Sequence, residues 1–373
     1  MRADILGRLA LNRATLARQL LLERSSLNPL EAVEHLLGLQ AQEPRDPYTA
    51  LWSRLAGFRP EALSALLEER RVVRIAVMRA TVHLVSADDC LVLRPLMQPV
   101  LDAELARHPT FGARLRGVEL SQVLAFARAT LAERPLTGTE LRSALAERFP
   151  ELDPAALAYA CRNHLALVQV PPRGLWGRSA QVRSTPAESW LGRPLAANPS
   201  LETVVLRYFG AFGPAATADV AAWSRLTGLR EVIERLRPRL RSFRDERGRE
   251  LFDLPDAPRP DPGVPAPTRF LPEYDNVLLS HADRSRLLDP EKRARLSLVG
   301  ERIHGSVLHN GFGCAVWRLE RDRATGNATL VVTPAVRLSR RAASAIEAEG
   351  RRLLRLVASE ANEREVRLAV APG

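Results

Sequence analysis

The chain has 373 residues, of which 46% are hydrophobic, enough for roughly two to four domains with a substantial core. No apolar run reaches spanning length, and Arg8, Arg13 and Arg18 break the N-terminal stretch, which has no small-residue cleavage site, so the sequence reads as an unprocessed cytoplasmic protein with no membrane partner. Its 3 cysteines form no C-x-x-C pair, which points away from a disulfide framework or a cysteine-rich metal centre, and no metal or cofactor is expected.

The net charge of +11 favours a polyanionic partner. Charge alone does not choose between DNA, RNA and a membrane surface. Nearly all of the cationic charge is arginine, Lys292 being the one lysine.

A repeated order of helix, helix, helix and wing-like hairpin recurs three times at a spacing of roughly 80 to 110 residues. It predicts an α+β fold, mostly α, with three tandem winged-helix units and a C-terminal small β-barrel or sheet carrying a terminal helix. The units are expected at 1–115 (with a linking helix), 116–198 and 199–256, and the C-terminal domain at 257–373.

In the first unit, Arg13 to Leu22 reads as an amphipathic helix, and Asn28, Pro29 and Glu31 supply N-cap, first-turn proline and capping-box glutamate for a second helix running toward Leu39. Asp46-Pro47 is expected to cap a third helix, and Pro60 opens a fourth with Leu63, Leu66 and Leu67 on one side. Val72 to Val85 is strand-like, and Ser86 to Asp89 repeats the capping-box pattern before one long linking helix. The second unit has a helix near Gln122 to Ala132, then helices capped by Thr137 with Glu140 and by Asp153, and a wing at Val168 to Val182. In the third, Leu201 to Phe212 precedes a helix-turn-helix in which Thr217 caps one helix and Gly228 turns into the next, followed by a wing turning at Arg247-Gly248. Pro255 to Pro267 is too rich in proline for helix or internal strand and reads as a stiff linker. Strand-like segments follow from Arg269 to Pro334, with turns at Asn310-Gly311 and Thr325 to Asn327, then a helix from Ser339 to Asn362 and a short strand.

Gln40 and Gln42 stand in LLGLQAQEPRDP, where the apolar helix ends and Pro44 biases Glu43 away from helical geometry. In an extended stretch residues i and i+2 point the same way, so both amides can face one cleft while Ala41 packs behind. In a continuing helix they would diverge by about 200 degrees. Taken alone, Q-x-Q is a weak signal, and two polar residues capping a helix end are its ordinary reading.

LQAQ followed by DPYTALWSRL, MRATVHLVSADD and the late LPEYDNVLLSHADRSRLL resembles the winged-helix DNA glycosylases of the AlkZ and YcaQ group, in order and spacing over nearly the whole chain. The resemblance implies a catalytic glutamine, an apolar residue, then glutamine or aspartate; Gln40-Ala41-Gln42 matches the glutamine form. The implied reaction is hydrolysis of the N-glycosidic bond of N7- or N3-alkylated purines in double-stranded DNA, bulky adducts and interstrand cross-links included.

Such a base already carries positive charge and leaves neutral, so no strong general acid is needed. Amide dipoles can stabilise the oxocarbenium-like sugar and position water, whereas glutamine is too weakly basic to act alone as a base. On this reading Gln42 positions the water, and Gln40 orients the water and the sugar. Strand nicking through a Schiff base needs an amine. Lys292 sits in the charged run DPEKRARL, so monofunctional action is expected, an N-terminal amine being the remaining alternative.

Arg79, Thr81 and His83, in RATVHLV, are candidate cleft residues, a hydrogen-bonded strand histidine and a surface arginine being the competing reading. Glu273 and Asp275 in LPEYDN either line the cleft or brace it. Candidate phosphate contacts are Arg45 and the wing residues Arg173, Arg178, Arg244, Arg247 and Arg249. The hairpin His309-Asn310 with Phe312 is a candidate wedge against DNA, or an ordinary packed turn. A winged-helix transcription regulator and a drug-sequestering resistance protein are the alternative functions. A monomer is expected.

Overall fold

The computed structural model describes residues 4–291 and 305–370, so Lys292 and the N-terminal amine lie outside the described residues. Among the described residues the fold is mixed, with more helix than strand, and has three sheets.

A two-residue strand, β1 (Ile5–Leu6), opens the chain. Then come β2 (Leu39–Gln40), β3 (Val72–Ala76), β4 (Val82–Ser86), β5 (Leu136–Thr137), β6 (Leu167–Gln169) and β7 (Arg183–Pro186), which form one sheet in the order β2-β4-β3-β6-β7-β5. The antiparallel strand pairs of the first two repeats, β3 with β4 and β6 with β7, are therefore parts of one sheet. Antiparallel pairing of Arg74 with Gln169 and Ile75 with Val168 joins them, and β4 becomes an internal strand buried along its whole length. The segment expected as the third wing forms the hairpin β8 (Arg241–Asp245) and β9 (Glu250–Asp253), turning at Gly248 (φ 77°) and extended by β1 pairing parallel to β8.

The last sheet runs β10 (Arg269–Leu271), β11 (Gly305–His309), β12 (Phe312–Arg321), β13 (Ala328–Pro334) and β14 (Arg364–Leu368) in sequence order. It is open, because its two outer strands do not pair among the described residues, so of the expected barrel or sheet the chain forms the sheet. The helix Arg340–Val357, capped by Ser339, covers it with Ile346, Leu353 and Leu354.

Local chemistry explains several helix starts. Capping boxes form at Asn28 with Glu31 and at Thr137 with Glu140, and Asp153 caps Pro154–His164. Elsewhere the expected ends shift. The first helix is Arg8–Arg18 rather than 13–22, and it is not amphipathic: Asn12, Arg13, Thr15 and Arg18 are all buried because each finds a partner, Arg18 taking both oxygens of Asp253. Asp46 lies inside its helix, Asp46–Arg54, and caps nothing. Ser86 caps, but without the reciprocal bond of a box, since Asp89 binds Arg207 instead. The long linking helix breaks at Met97 into Ala87–Leu96 and Gln98–Arg107, each holding a proline. Asp219, not Thr217, bonds the free backbone N–H at the start of Thr217–Ser224. Beyond Leu271 the expected strand gives way at Pro272 to the helix Asn276–Leu279, capped by Asp275.

Candidate active site

The helix Pro29–His35 ends where Leu37 and Gly38 take left-handed backbone angles (φ 55° and 89°). A Cβ at Gly38 would lie 2.7 Å from the Val85 side chain, so glycine is required there. This double turn swings the chain into β2 and sets Gln40 opposite His83 on β4. Ala41 is fully buried, its N–H donating to the Val82 carbonyl at 2.9 Å. Gln40, buried, and Gln42, exposed, both line one cleft of about 590 Å³.

The turn joining β3 to β4 carries two consecutive non-glycine residues in the left-handed region, Arg79 (φ 57°) and Ala80 (φ 56°). Such backbone is strained and persists only where its surroundings hold it. It aims the partly buried Arg79 guanidinium at four acceptors: Gln40 Oε1 at 2.6 Å, the Trp223 carbonyl at 3.0 Å, Asn276 Oδ1 at 3.1 Å and His83 Nε2 at 3.2 Å. A guanidinium only donates. The Gln40 amide must therefore turn its oxygen to Arg79, and His83 must accept at Nε2 while its Nδ1–H donates to the Thr81 carbonyl at 2.9 Å. Burial, and then the Arg79 charge, push the His83 pKa down to about 3. With 0% exposure, His83 is a neutral support behind the cleft. Burial lowers the Arg79 pKa to about 10, helped by Arg225 and Arg284, and it stays cationic at neutral pH. Thr81 lines the cleft, its hydroxyl donating to the Met78 carbonyl.

The two acids divide. Asp275 is buried and holds Arg54 through both oxygens at 2.8 Å while capping its own helix, so it braces the cleft rather than lining it. Glu273 lines a neighbouring cavity of about 610 Å³ with Arg45, Asp46 and Trp176. There Asp46 is buried, one carboxylate oxygen lacks a hydrogen bond, and burial with the charges of Glu273, Glu43 and Asp275 pushes its pKa up to about 9.

The wing arginines are mostly engaged. Arg249 binds Asp245 at 2.6 Å and Asp283 at 2.7 Å, Arg247 reaches Asp283 at 3.4 Å, Arg244 donates to the Gly248 carbonyl and Arg173 to the Ala180 carbonyl. Arg178 is exposed. The Asn310-Gly311 turn is packed, not projecting: Asn12 donates to the Gly311 carbonyl at 2.8 Å, Arg13 to Asn310 Oδ1 at 3.0 Å, and Arg8 covers the Phe312 ring. His309 pairs with the Thr268 hydroxyl.

Sequence reasoning passed over Arg162, Arg225, Glu104 and Tyr274, which share the cleft with the glutamines. Nothing local marks the two arginines among so many others. Asn276, beside the singled-out Asp275, was within reach. Among the described residues no group of His, Cys, Asp and Glu is arranged to hold a metal ion, and no helix is long and apolar enough to cross a membrane.

No curated protein matches the chain by sequence. The solved structure of Streptomyces sahachiroi DNA glycosylase AlkZ matches with a TM-score of 0.77 at 23% sequence identity, over 99% of this chain and 100% of that one, a likeness of fold. The model of the AlkZ-like DNA glycosylases matches residues 33–356. That match separates an excising enzyme from a regulator or a drug-binding protein of similar architecture, and the chain belongs to the AlkZ-like DNA glycosylase family.

Proposed function

We propose that this glycosylase hydrolyses the N-glycosidic bond of N7- or N3-alkylated purines in double-stranded DNA, bulky adducts and interstrand cross-links included, acting as a cytoplasmic monomer and leaving an abasic site. The observation that carries the reading is that Gln40 and Gln42 line one open cleft with different freedoms. Arg79 occupies the Gln40 oxygen, whereas the Gln42 side chain has no hydrogen-bonding partner among the described residues. A bulky adduct cannot enter a closed base pocket, which favours an open site.

The division of labour follows. The Gln40 NH₂ donates to the attacking water, the Gln42 carbonyl accepts one of its hydrogens, and together they turn a water lone pair toward the sugar. The same Gln42 dipole stabilises the oxocarbenium charge. The C1′–N bond breaks with its electron pair going to the cationic purine, which leaves neutral, and the attacking water releases its proton to solvent as the C1′–O bond forms, so the absence of charge on His83 is no handicap. Lys292, the one lysine, stands in a charged run apart from the glutamines in sequence, which supports hydrolysis over elimination. Glu104, a carboxylate in the same cleft, is the competing group for activating water. The units 1–115, 116–198, 199–256 and 257–373 belong to the same proposal, the first supplying both glutamines and the others the walls.

A gel assay on N7-alkylguanine DNA, and on an N7-linked interstrand cross-link, tests this. The wild type is expected to give strand breaks only after alkali, and Gln40→Ala/Gln42→Ala to lose at least about a hundredfold in rate. Full activity in the double variant, or loss only in Glu104→Gln, would move the chemistry away from the amides. Strand breaks without alkali would overturn monofunctional action.

A further inference from the structure

The cleft contains more positive charge than its neighbours neutralise. Arg79 spends its guanidinium on one backbone carbonyl oxygen, two side-chain amide oxygens and a neutral imidazole, none of them an anion. The charges that act on it most are Arg225 and Arg284, both positive. Arg162 and Arg225 are exposed on the same cleft; Arg162 lies over the Tyr159 ring at 5.9 Å, and no ion pair engages either among the described residues. Glu104 is the opposing carboxylate in the lining, itself exposed. Guanidiniums gathered without a matching anion repel one another, and that repulsion is relieved when an anion enters.

We propose that Arg79, Arg162 and Arg225 form a phosphate site that grips the backbone of the lesion-bearing strand beside Gln42. The guanidiniums of Arg162 and Arg225 take phosphate oxygens directly, as forked donors suited to that geometry. Arg79 contributes its charge from behind, its Nη2 shared among Gln40, His83 and Asn276 and its Nη1 donating to the Trp223 carbonyl. The inference rests on reading this cleft as the reacting one. It also relocates the DNA contacts from the wing arginines expected from sequence to residues on two other segments, the last turn of Pro154–His164 and the C-cap of Thr217–Ser224.

The test is the salt dependence of binding to undamaged duplex DNA, by fluorescence anisotropy over a potassium chloride series, in the full chain. Each phosphate contact contributes about 0.9 to the slope of log K against log salt. Arg162→Ala/Arg225→Ala is therefore expected to flatten the slope by about 1.8. Arg351→Ala/Arg355→Ala, which removes equal charge from the exposed face of the C-terminal helix, is expected to leave it unchanged. Arg225→Lys, which keeps the charge, is expected to retain the slope. Equal slopes for the cleft and helix variants would overturn the site. Because undamaged DNA is the probe, the result is independent of excision: a flattened slope in a protein that releases no alkylpurine keeps the phosphate site and sinks the proposed substrate class, and the reverse pattern does the opposite.

Discussion

Arg54 and Arg79 approach the same short segment from different elements, and consecutive residues serve them. Arg54 takes both oxygens of Asp275 at 2.8 Å, whereas Arg79 takes the amide oxygen of Asn276 at 3.1 Å. The first is a charge cancelled inside the fold, like Arg18 with Asp253. The second is a charge held in place by neutral acceptors, facing a cleft. Geometry is well determined in both, so hydrogen bonding does not separate scaffold from site; the presence or absence of a counter-charge does.

The scaffold half of the comparison is broken most severely at Asp275. Asp275→Ala strands a buried guanidinium and removes the cap of Asn276–Leu279, and it is expected to lower unfolding free energy by about 3–5 kcal/mol in urea titrations. A loss under about 1 kcal/mol would mean that Arg54 finds water or another acceptor and that the brace is not structural.

Arg79→Lys addresses the other half with a smaller expected effect. Lysine keeps the charge but not the fork, so it cannot hold Gln40, Asn276, the Trp223 carbonyl and His83 together. Excision is expected to fall about a hundredfold in kcat, while the salt slope of DNA binding stays at the wild-type value. A fall in affinity with kcat unchanged would assign Arg79 to holding DNA alone, and leave Gln40 needing no orientation.

How far this arrangement could be read in advance follows the range of the interactions. The boxes at Asn28 and Thr137, the cap at Asp153 and the turns at Gly228, Gly248 and Asn310-Gly311 all depend on residues within a few positions, and sequence carries them. The glutamine pair was legible for the same reason: strand alternation acts over two residues. The partner of Asp275 lies 221 positions away and that of Arg249 Nη2 lies 34 away, and no local pattern encodes either. Hence the arginines that matter looked like those that do not. His83 stands behind the cleft rather than on its face because β4 lies between β2 and β3 and is buried along its whole length, a pairing that the alternation within RATVHLV does not reveal.

The smallest effect is the most discriminating, because it asks whether unmatched charge beside the cleft is paid for in stability. Asp46 is an unmatched acid, with Glu273 and Glu43 pressing on it and Arg74 only partly offsetting them. Its folded pKa of about 9 lies above the ordinary 3.8, so the folded state holds the extra proton between those values. Its contribution is complete at low pH and is lost as pH rises, at up to about 1.4 kcal/mol per pH unit. His83 has the opposite sign: its pKa falls from 6.5 to about 3, so stability is complete above the ordinary value and is lost as pH drops through that window. In the overlap the two slopes oppose each other and conceal both. Asp46→Asn keeps the shape and removes one of them. Thermal unfolding followed from pH 4 to 8.5 is expected to show the variant level with wild type at the acid end and increasingly more stable toward the alkaline end. Parallel curves would mean that Asp46 is ionised and matched in the folded protein, and that Arg79 stands alone as an unmatched charge beside the cleft.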